Sequence, residues 1–294
     1  MSRPEVSVCM PVYQAERHVA SAIESVLRQT FHDWELVIVD NSSTDGTAEV
    51  LSRYDDPRIV ITRNDVTVGL ADNWNLAVQR ARGRFIKVLP ADDILYPECL
   101  ELQVKEHDAH PGIALVACRR DFIDDNGEVV LRSRGVRRLS GEHPSAHVVN
   151  RIMASGVNPI GDPAAMLFRR DHFLTAGEFD ASLPFPMDLE LSVRLLEHGT
   201  FFGQSHTLSA FRVHPGSISA ATLSDQVWEH RTLLRRIAAN EQWDISRTLL
   251  WRGLARTRIE GLKRRLLFTA VATNSSFVRR LPSVMLDDAS KTAL

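Results

Sequence analysis

The sequence predicts an α/β protein with a mainly parallel central sheet, followed by C-terminal helices. Three features carry that prediction: runs of Val, Ile and Leu too continuous for half-exposed strands, helical-period segments between them, and long charged helices after about residue 224. In chain order, VSVCMPVY reads as a buried strand, after which Val19, Ala22, Ile23, Val26 and Leu27 recur at helical spacing. ELVIVD is a second buried strand, NSSTDG is turn chemistry, TAEVLSRY a short helix and RIVITRN a third strand. A helix over 72–81 is expected to close at Gly83 as its C-cap, and RFIKVL is the fourth strand. Ligands of such sheets bind at the carboxyl ends of the strands. Asp40, Asn64 and the pair Asp92–Asp93 end the second, third and fourth strands and so gather at one edge.

From about 97 to 215 the pattern is mixed. PECLELQVKEHDA reads as a helix and IALVACR as a strand, and Asn126-Gly127 in DDNGEVV signals a hairpin that adds antiparallel elements to the sheet. DPAAMLFRR and LSAFRVH are further strands, with the helix DLELSVRLLEHG closed by Gly199 between them. Two long helices follow, DQVWEHRTLLRRIAANEQW and ISRTLLWRGLARTRIEGLKRRLLFTAV, and the last dozen residues read as a frayed tail.

The balance of 35 Lys+Arg against 37 Asp+Glu argues against a surface devoted to nucleic acid. Cys9, Cys99 and Cys118 lie far apart without a CxxC spacing and read as free thiols of a reducing compartment. The N-terminal stretch has no apolar signal region, and no window reaches the roughly 18 to 20 apolar residues of a spanning helix. A cytoplasmic protein is expected, at most peripheral on the inner face of the cell membrane.

RFIKVLPADDILYP runs a greasy strand straight into two adjacent carboxylates. Like charges repel, and a carboxylate facing a cleft loses solvation unless a cation, a donor or water compensates it. A solvated turn leading into the next helix is the plainer reading of an isolated Asp-Asp. In its context, however, the pair stands with VSVCMPVYQAERHVASAIESVLRQT, WELVIVDNSSTDGT, NDVTVGLADNWNLAVQRARGRFIKVLPADD, GEFDASLPFPMDLELSVRLLEHG and FRVHPGSIS. Over about residues 5 to 217 these stretches resemble the family 2 glycosyltransferases, inverting enzymes of the GT-A fold that move a sugar from a nucleotide diphosphate donor to an acceptor hydroxyl.

The resemblance implies a catalytic domain over 1–220, with 1–95 its nucleotide-binding half and 96–220 its acceptor half, and a helical extension over 221–294. It implies Mg²⁺ or Mn²⁺ on the departing pyrophosphate, acting as a Lewis acid. By the family pattern Asp93 holds the metal and Asp92 the ribose or sugar hydroxyls of the donor. Asp40 takes the N3-H of a uracil-like or thymine-like base, a role compatible with an Asx turn opening NSSTDG. Pro11 and Tyr13 wall the base pocket, and Asn64 joins the donor-binding set. Gln14 stands where Asn is usual, and Asn41-Ser42 where Asp-Gly is usual.

Asp188 is implied as the general base, since inversion needs a carboxylate within reach of the acceptor hydroxyl. Met187 replaces the Glu that normally precedes it, and the local alternative is that Asp188 only N-caps its helix. In FRVH, the strand period puts Arg212 and His214 on one face and Phe211 and Val213 on the other. The resemblance makes His214 a third metal ligand or pyrophosphate contact, with Arg212 nearby to balance phosphate charge. Gly161 is read either as a close approach to a sugar or as a plain turn.

Between 247 and 280 nine Lys/Arg stand against one acid, Glu260, interleaved with Leu249, Leu250, Trp251, Leu254 and Leu262. Such a segment either rests on an anionic membrane surface or packs on the catalytic body with a solvated basic face. The expected partners are a nucleotide diphosphate sugar, a glycan or lipid-linked acceptor and that membrane surface, without nucleic acid. A catalytically silent sugar-nucleotide-binding or scaffold subunit is the alternative. A dinucleotide oxidoreductase is excluded because PVYQAERH, not G-x-G-x-x-G, follows the first strand.

Overall fold

The computed structural model describes residues 3–136, 138–214 and 223–273, with side chains described throughout except at 223–225 and 264–273. Strands β1 (Val6–Val12), β2 (Trp34–Asp40), β3 (Ile59–Arg63) and β4 (Phe85–Val88) form a parallel half-sheet in the order β3-β2-β1-β4. Their connections are helices α1 (Val19–Leu27), α2 (Thr47–Leu51) and α3 (Leu70–Gln79). The short β5 (Ile94–Leu95) leads into α4 (Cys99–Ala109). Beyond β4, the strand β9 (Met166–Arg169) runs antiparallel between β4 and β6 (Ile113–Ile123), and β10 (Thr200–Arg212) lies parallel to β6. Antiparallel β7 (Val129–Arg134) pairs with β6, while β8 (Gly141–His143) and β5 pair with β10. Both expected halves therefore build one sheet, and the boundary expected at 220/221 lies outside the described residues, as does the expected tail.

The strand period of two decides which side chain enters which core. Val6, Val8, Met10 and Val12 of β1 pack with Leu36, Ile38, Phe85, Leu100 and Cys118 beneath α1 and α4. Cys9, Val39, Val88, Leu115 and Phe201 face the other core, under α3, α5 (Ser145–Ser155), α7 (Met187–Leu195) and α8 (Leu223–Ala239). At about 1.5 to 3 kcal/mol for each fully buried large aliphatic side chain, these two cores supply the dominant stabilisation. All three cysteines are free and buried.

Two helices escape the sequence reading, α5 and the short α6 (Arg170–Ala176), the latter appended to β9 without a turn signal. The final helix α9 (Arg247–Thr273) packs on α5 and α8. Gly253 and Gly156 make that approach possible, since a Cβ on Gly253 would lie 2.3 Å from the Met153 carbonyl and one on Gly156 2.7 Å from the Thr257 nitrogen.

Gly83 corrects an expectation. The preceding helix ends at Gln79 with Arg80 at its C-cap, so Gly83 caps nothing. It is instead pressed against β1, donating its N–H to Ser7 Oγ at 2.7 Å, and Ser7 in turn donates to Glu35 at 2.6 Å. A Cβ there would sit 2.5 Å from the Ser7 backbone nitrogen, which cannot yield as a side chain would. Gly83→Ala is therefore expected to lower stability by about 1 to 3 kcal/mol in a urea titration. Gly112→Ala, whose Cβ would meet nothing within 4 Å, should change it by less than about 1 kcal/mol.

Candidate active site

At the end of β4 the chain bends into β5, with the Asp93 amide donating to the Pro90 carbonyl at 3.1 Å. Asp92 lies in that turn and Asp93 directly after it, and the two carboxylates meet different surroundings. Asp93 is fully buried. Its Oδ1 accepts the Arg212 backbone N–H at 2.9 Å, and its Oδ2 has no hydrogen-bond partner. Burial, then the charges of Asp92 and Asp162, push its carboxyl well above the usual range, while the Arg212 amide and Arg120 pull it back. Asp92 is partly exposed, and its Oδ2 lies 3.2 Å from His214 Nε2.

Arg212 fixes this corner. Its side chain donates from Nε to the Asp92 carbonyl at 2.8 Å and from Nη1 to the carbonyls of Asp124 and Asp125 at 2.9 and 3.3 Å. Burial draws its pKa down, opposed by Asp92 and Asp93. The strand alternation holds for Val213, which is buried, but Arg212 is also buried, and the contacts named here tie it to protein carbonyls. Beneath lies a second layer of buried charge: Asp162 pairs with Arg120 and feels Lys87, a fully buried lysine whose Nζ donates to Gln103 at 2.6 Å.

His214 stands with two residues that sequence reasoning gave no chemical role. His18 precedes α1, and Asp125 sits in the β6–β7 turn built by Asp124, whose carboxylate accepts the Asn126 and Glu128 amides at 2.9 and 3.0 Å. Gly127, at φ 84°, completes the hairpin that Asn126-Gly127 predicts. One donor atom each of His18, Asp125 and His214 lies within 4.8 Å of the others. Burial, then Arg212 and His214, hold the His18 pKa below the ordinary value against the opposing pull of Asp125. Burial raises the Asp125 carboxyl, but Arg17 and His18 outweigh it and bring it below the usual range. Two imidazoles and an ionised carboxylate in that space fit a divalent cation. Asp93, expected among the ligands, is not in this set: its carboxylate is sealed from solvent behind the Arg212 amide, and the aspartate that meets His214 is Asp92.

At the end of β2, the buried Asp40 spends Oδ1 on the Ser43 amide and hydroxyl at 3.1 and 2.5 Å, the expected Asx-type turn. Its Oδ2 has no hydrogen-bond partner and lies 3.2 Å from Arg63 Nη1. Pro11 is buried and Tyr13 is 54% exposed. Gln14 takes φ 50° and straps two loops together, its Oε1 accepting the Thr44 and Asp45 amides at 3.1 Å and its Nε2 donating to Thr44 Oγ1 at 2.8 Å. Asn64 turns its Nδ2 to Asn41 and Asn73 at 2.9 and 3.0 Å, so it braces this loop from inside.

Asp188 is the second residue of α7 and does not cap it, because Pro186 occupies the N-cap and no side chain caps the helix. Its half-buried carboxylate accepts from Asn158 Nδ2 at 3.3 Å, above a small void of the buried core lined by Val88, Phe168, Phe179 and Leu191. Glu190 is committed to Arg194, with contacts of 2.6 and 2.8 Å. Met187 is buried in the core. The segment 158–162 runs from Asn158 at Asp188 to Asp162 at Asp93, through Gly161 at φ 142°, whose Cβ would lie 3.1 Å from Ala165 and 3.2 Å from Arg120. Gly161 thus serves a close internal approach. Asn158, Asp162 and Arg120 were missed; the only local signal was the turn composition of NPIGDP.

With this geometry established, comparison with known proteins is informative. Residues 7–175, more than half the chain, match the model described as "Glycosyl transferase family 2". An uncharacterised protein of Mycobacterium tuberculosis, MT1568, is 31% identical over 219 residues, covering 72% of this chain and 68% of that one. WfgD of Escherichia coli, a UDP-Glc:alpha-D-GlcNAc-diphosphoundecaprenol beta-1,3-glucosyltransferase, is 40% identical over 99 residues, and the match spans 34% of this chain and 39% of WfgD. Among solved structures, S. aureus TarS 1-349 in complex with UDP-GlcNAc superposes with a TM-score of 0.64 at 18% identity, over 97% of this chain and 79% of that one. That likeness speaks to the fold, which is of the GT-A type. The protein belongs to glycosyl transferase family 2.

Proposed function

We propose that this chain is an inverting, metal-dependent glycosyltransferase that moves a sugar from a nucleotide diphosphate sugar to an acceptor hydroxyl. The observation that carries the reading is Asp188: an aspartate in the first turn of α7 that does not cap it, held by Asn158 at the start of the segment that ends in Asp162 near Asp93. A carboxylate so placed can take the proton of an acceptor hydroxyl as the new C–O bond forms. Asp40 Oδ2 receives the base N3-H, with Tyr13 and Pro11 as the wall of its pocket. Asp92 holds donor hydroxyls, and Arg212 maintains the backbone on which Asp92 and Asp93 sit. A divalent cation, Mg²⁺ or Mn²⁺, held at His214, would neutralise charge on the departing diphosphate.

The acceptor is a glycan or a lipid-linked sugar of a cell-surface polymer or glycolipid. Two relatives bear names of that kind, WfgD and the chondroitin synthase of Escherichia coli, the latter 33% identical over 201 residues. Among the described residues no helix is long and apolar enough to cross a membrane. The C-terminal helices instead expose Trp228, Trp251, Ile259 and Leu262 beside Arg252, Arg258 and Lys263, a composition suited to the anionic inner face of a cell membrane from the cytoplasmic side. Arg264, Arg265, Arg279 and Arg280 lie outside the described side chains.

Asp188→Asn should lower kcat by about 10² to 10⁴ and leave donor Kd and melting temperature nearly unchanged. Glu190→Gln, which only breaks the pair with Arg194, should turn over close to the native rate. Steady-state kinetics beside donor titration decides, and the reverse pattern would move the base to Glu190. Co-sedimentation with phosphatidylglycerol vesicles should fall as salt rises, since surface attraction is screened within about 8 Å at physiological ionic strength. The pair Trp251→Ser and Leu262→Ser should weaken it at least about tenfold, each inserted apolar side chain contributing about 1.5 to 3 kcal/mol. Binding unaffected by the pair would remove the membrane role.

A further inference from the structure

Residues 177–186 lead from α6 into α7, and α8 grips them at two points. Arg236 donates from Nη1 to Asp180 Oδ2 at 2.6 Å and from Nη2 to Ser182 Oγ at 3.1 Å. Seven residues earlier on the same helix, Glu229 Oε2 accepts the Phe185 amide at 2.7 Å. That spacing is close to two helical turns, so both side chains leave one face of α8, about 10.5 Å apart along its axis. Between the two grips, Leu183 is fully buried in the core that also holds Leu233 and Leu234. The segment is thus laid antiparallel along α8, with Asp180 and Ser182 at Arg236 and Phe185 at Glu229.

The grip by Glu229 bears on the candidate base. In Leu183-Pro184-Phe185-Pro186 the two prolines stiffen the chain and lack an N–H, so Phe185 supplies the amide by which this stretch can be held. Pro186 is the N-cap of α7, its carbonyl accepting the Glu190 amide at 2.8 Å, and Asp188 stands two residues further on. Glu229 is 9% exposed, so its hydrogen bond meets little competition from water. The other end of the segment is held separately: Asn75 Oδ1 accepts the Phe179 amide at 2.8 Å, and Arg194 donates to the Gly177 and Glu178 carbonyls at 3.0 and 2.7 Å. Those contacts end at Phe179 and leave the approach to α7 in the hold of α8.

We propose that Glu229 is a positioning residue for Asp188: through the Phe185 amide, α8 sets where α7 begins and so where the Asp188 carboxylate stands. The helical extension is then a working part of the transferase. This inference rests on the reading of Asp188 as the general base, and Glu229 acts through the backbone with no proton transfer of its own. Rates are sensitive to such placement, a shift of about 1 Å lowering them on the order of 10²-fold.

The test compares the full chain with Glu229→Ala and Glu229→Gln. Gln keeps an oxygen that can accept the Phe185 amide, so positioning predicts its rescue of activity. Glu229→Ala should lower kcat about 10- to 100-fold with donor Kd within about twofold of native, and Glu229→Gln should stay within about threefold of native kcat. Arg235→Ala, at an exposed position of the same helix, should turn over at the native rate. In an Asp188→Asn background Glu229→Ala should add no further loss, because the group it positions is gone. Hydrogen exchange of the Phe185 amide should be at least about tenfold faster in Glu229→Ala than in Glu229→Gln, a readout that needs no activity. If Glu229→Ala proves unfolded by circular dichroism, Glu229→Asp, whose carboxylate falls one methylene short, carries the same comparisons. A Gln variant as impaired as the Ala variant, or losses that multiply in full with Asp188→Asn, would overturn the proposal. Native kcat in Glu229→Ala beside a crippled Asp188→Asn would overturn it and leave the transferase reading standing. Faster Phe185 exchange in a chain that transfers no sugar would keep the hold of α8 on α7 and lose the transferase reading.

Discussion

The corner on which the candidate site depends is held by one buried guanidinium. Arg212 ends β10, yet it donates to the Asp92 carbonyl, to two carbonyls of the β6–β7 turn and, through its backbone, to Asp93. A planar donor fork with several N–H groups can hold separate carbonyls in fixed directions, which a lysine ammonium on a flexible stem would not. The two aspartates, the hairpin tip and His214 two residues onward are thereby registered to one another before any ligand arrives. The cost is a buried cation, offset by the carboxylates around it.

Below that corner the charges are layered. Lys87 and Arg120 flank Asp162, and Asp162 and Asp92 press on Asp93 from either side. Groups so far from water keep their charge only in company, and the site carboxylates therefore cannot be considered one at a time. The segment 158–162 extends this coupling to Asp188 through Asn158. Five residues of chain thus join the sheet edge to the helix that carries the candidate base.

Much of the fold was legible because parallel strands buried on both faces leave an unmistakable pattern. β1, β2 and β4 are wholly buried, and the predicted edge at Asp40, Asp92 and Asp93 is the edge observed. What failed did so where contacts are remote. Gly83 looked like a cap because local sequence cannot show that Ser7 lies against it. Arg212 and His214 were found by strand alternation and family pattern, but that reading could not tell that Arg212 would serve the backbone. His18 and Asp125, 107 positions apart in the sequence, are brought together only when β6 crosses to the far side of β9. Lys87 sat in plain view within FIKV, where its neighbours gave no hint of Gln103 on the next helix.

The C-terminal helix α9 has apolar residues on more than one side. Leu249, Leu250 and Leu254 turn toward the core, and Trp251, Ile259 and Leu262 turn away from it. The inward set is constrained by two glycine contacts and can change little without loss of packing. The outward set touches neither the core nor the sheet, so it can drift without unfolding the chain. Substitutions along that one stripe of one helix can therefore accumulate while the packing of the inward set stays as it is.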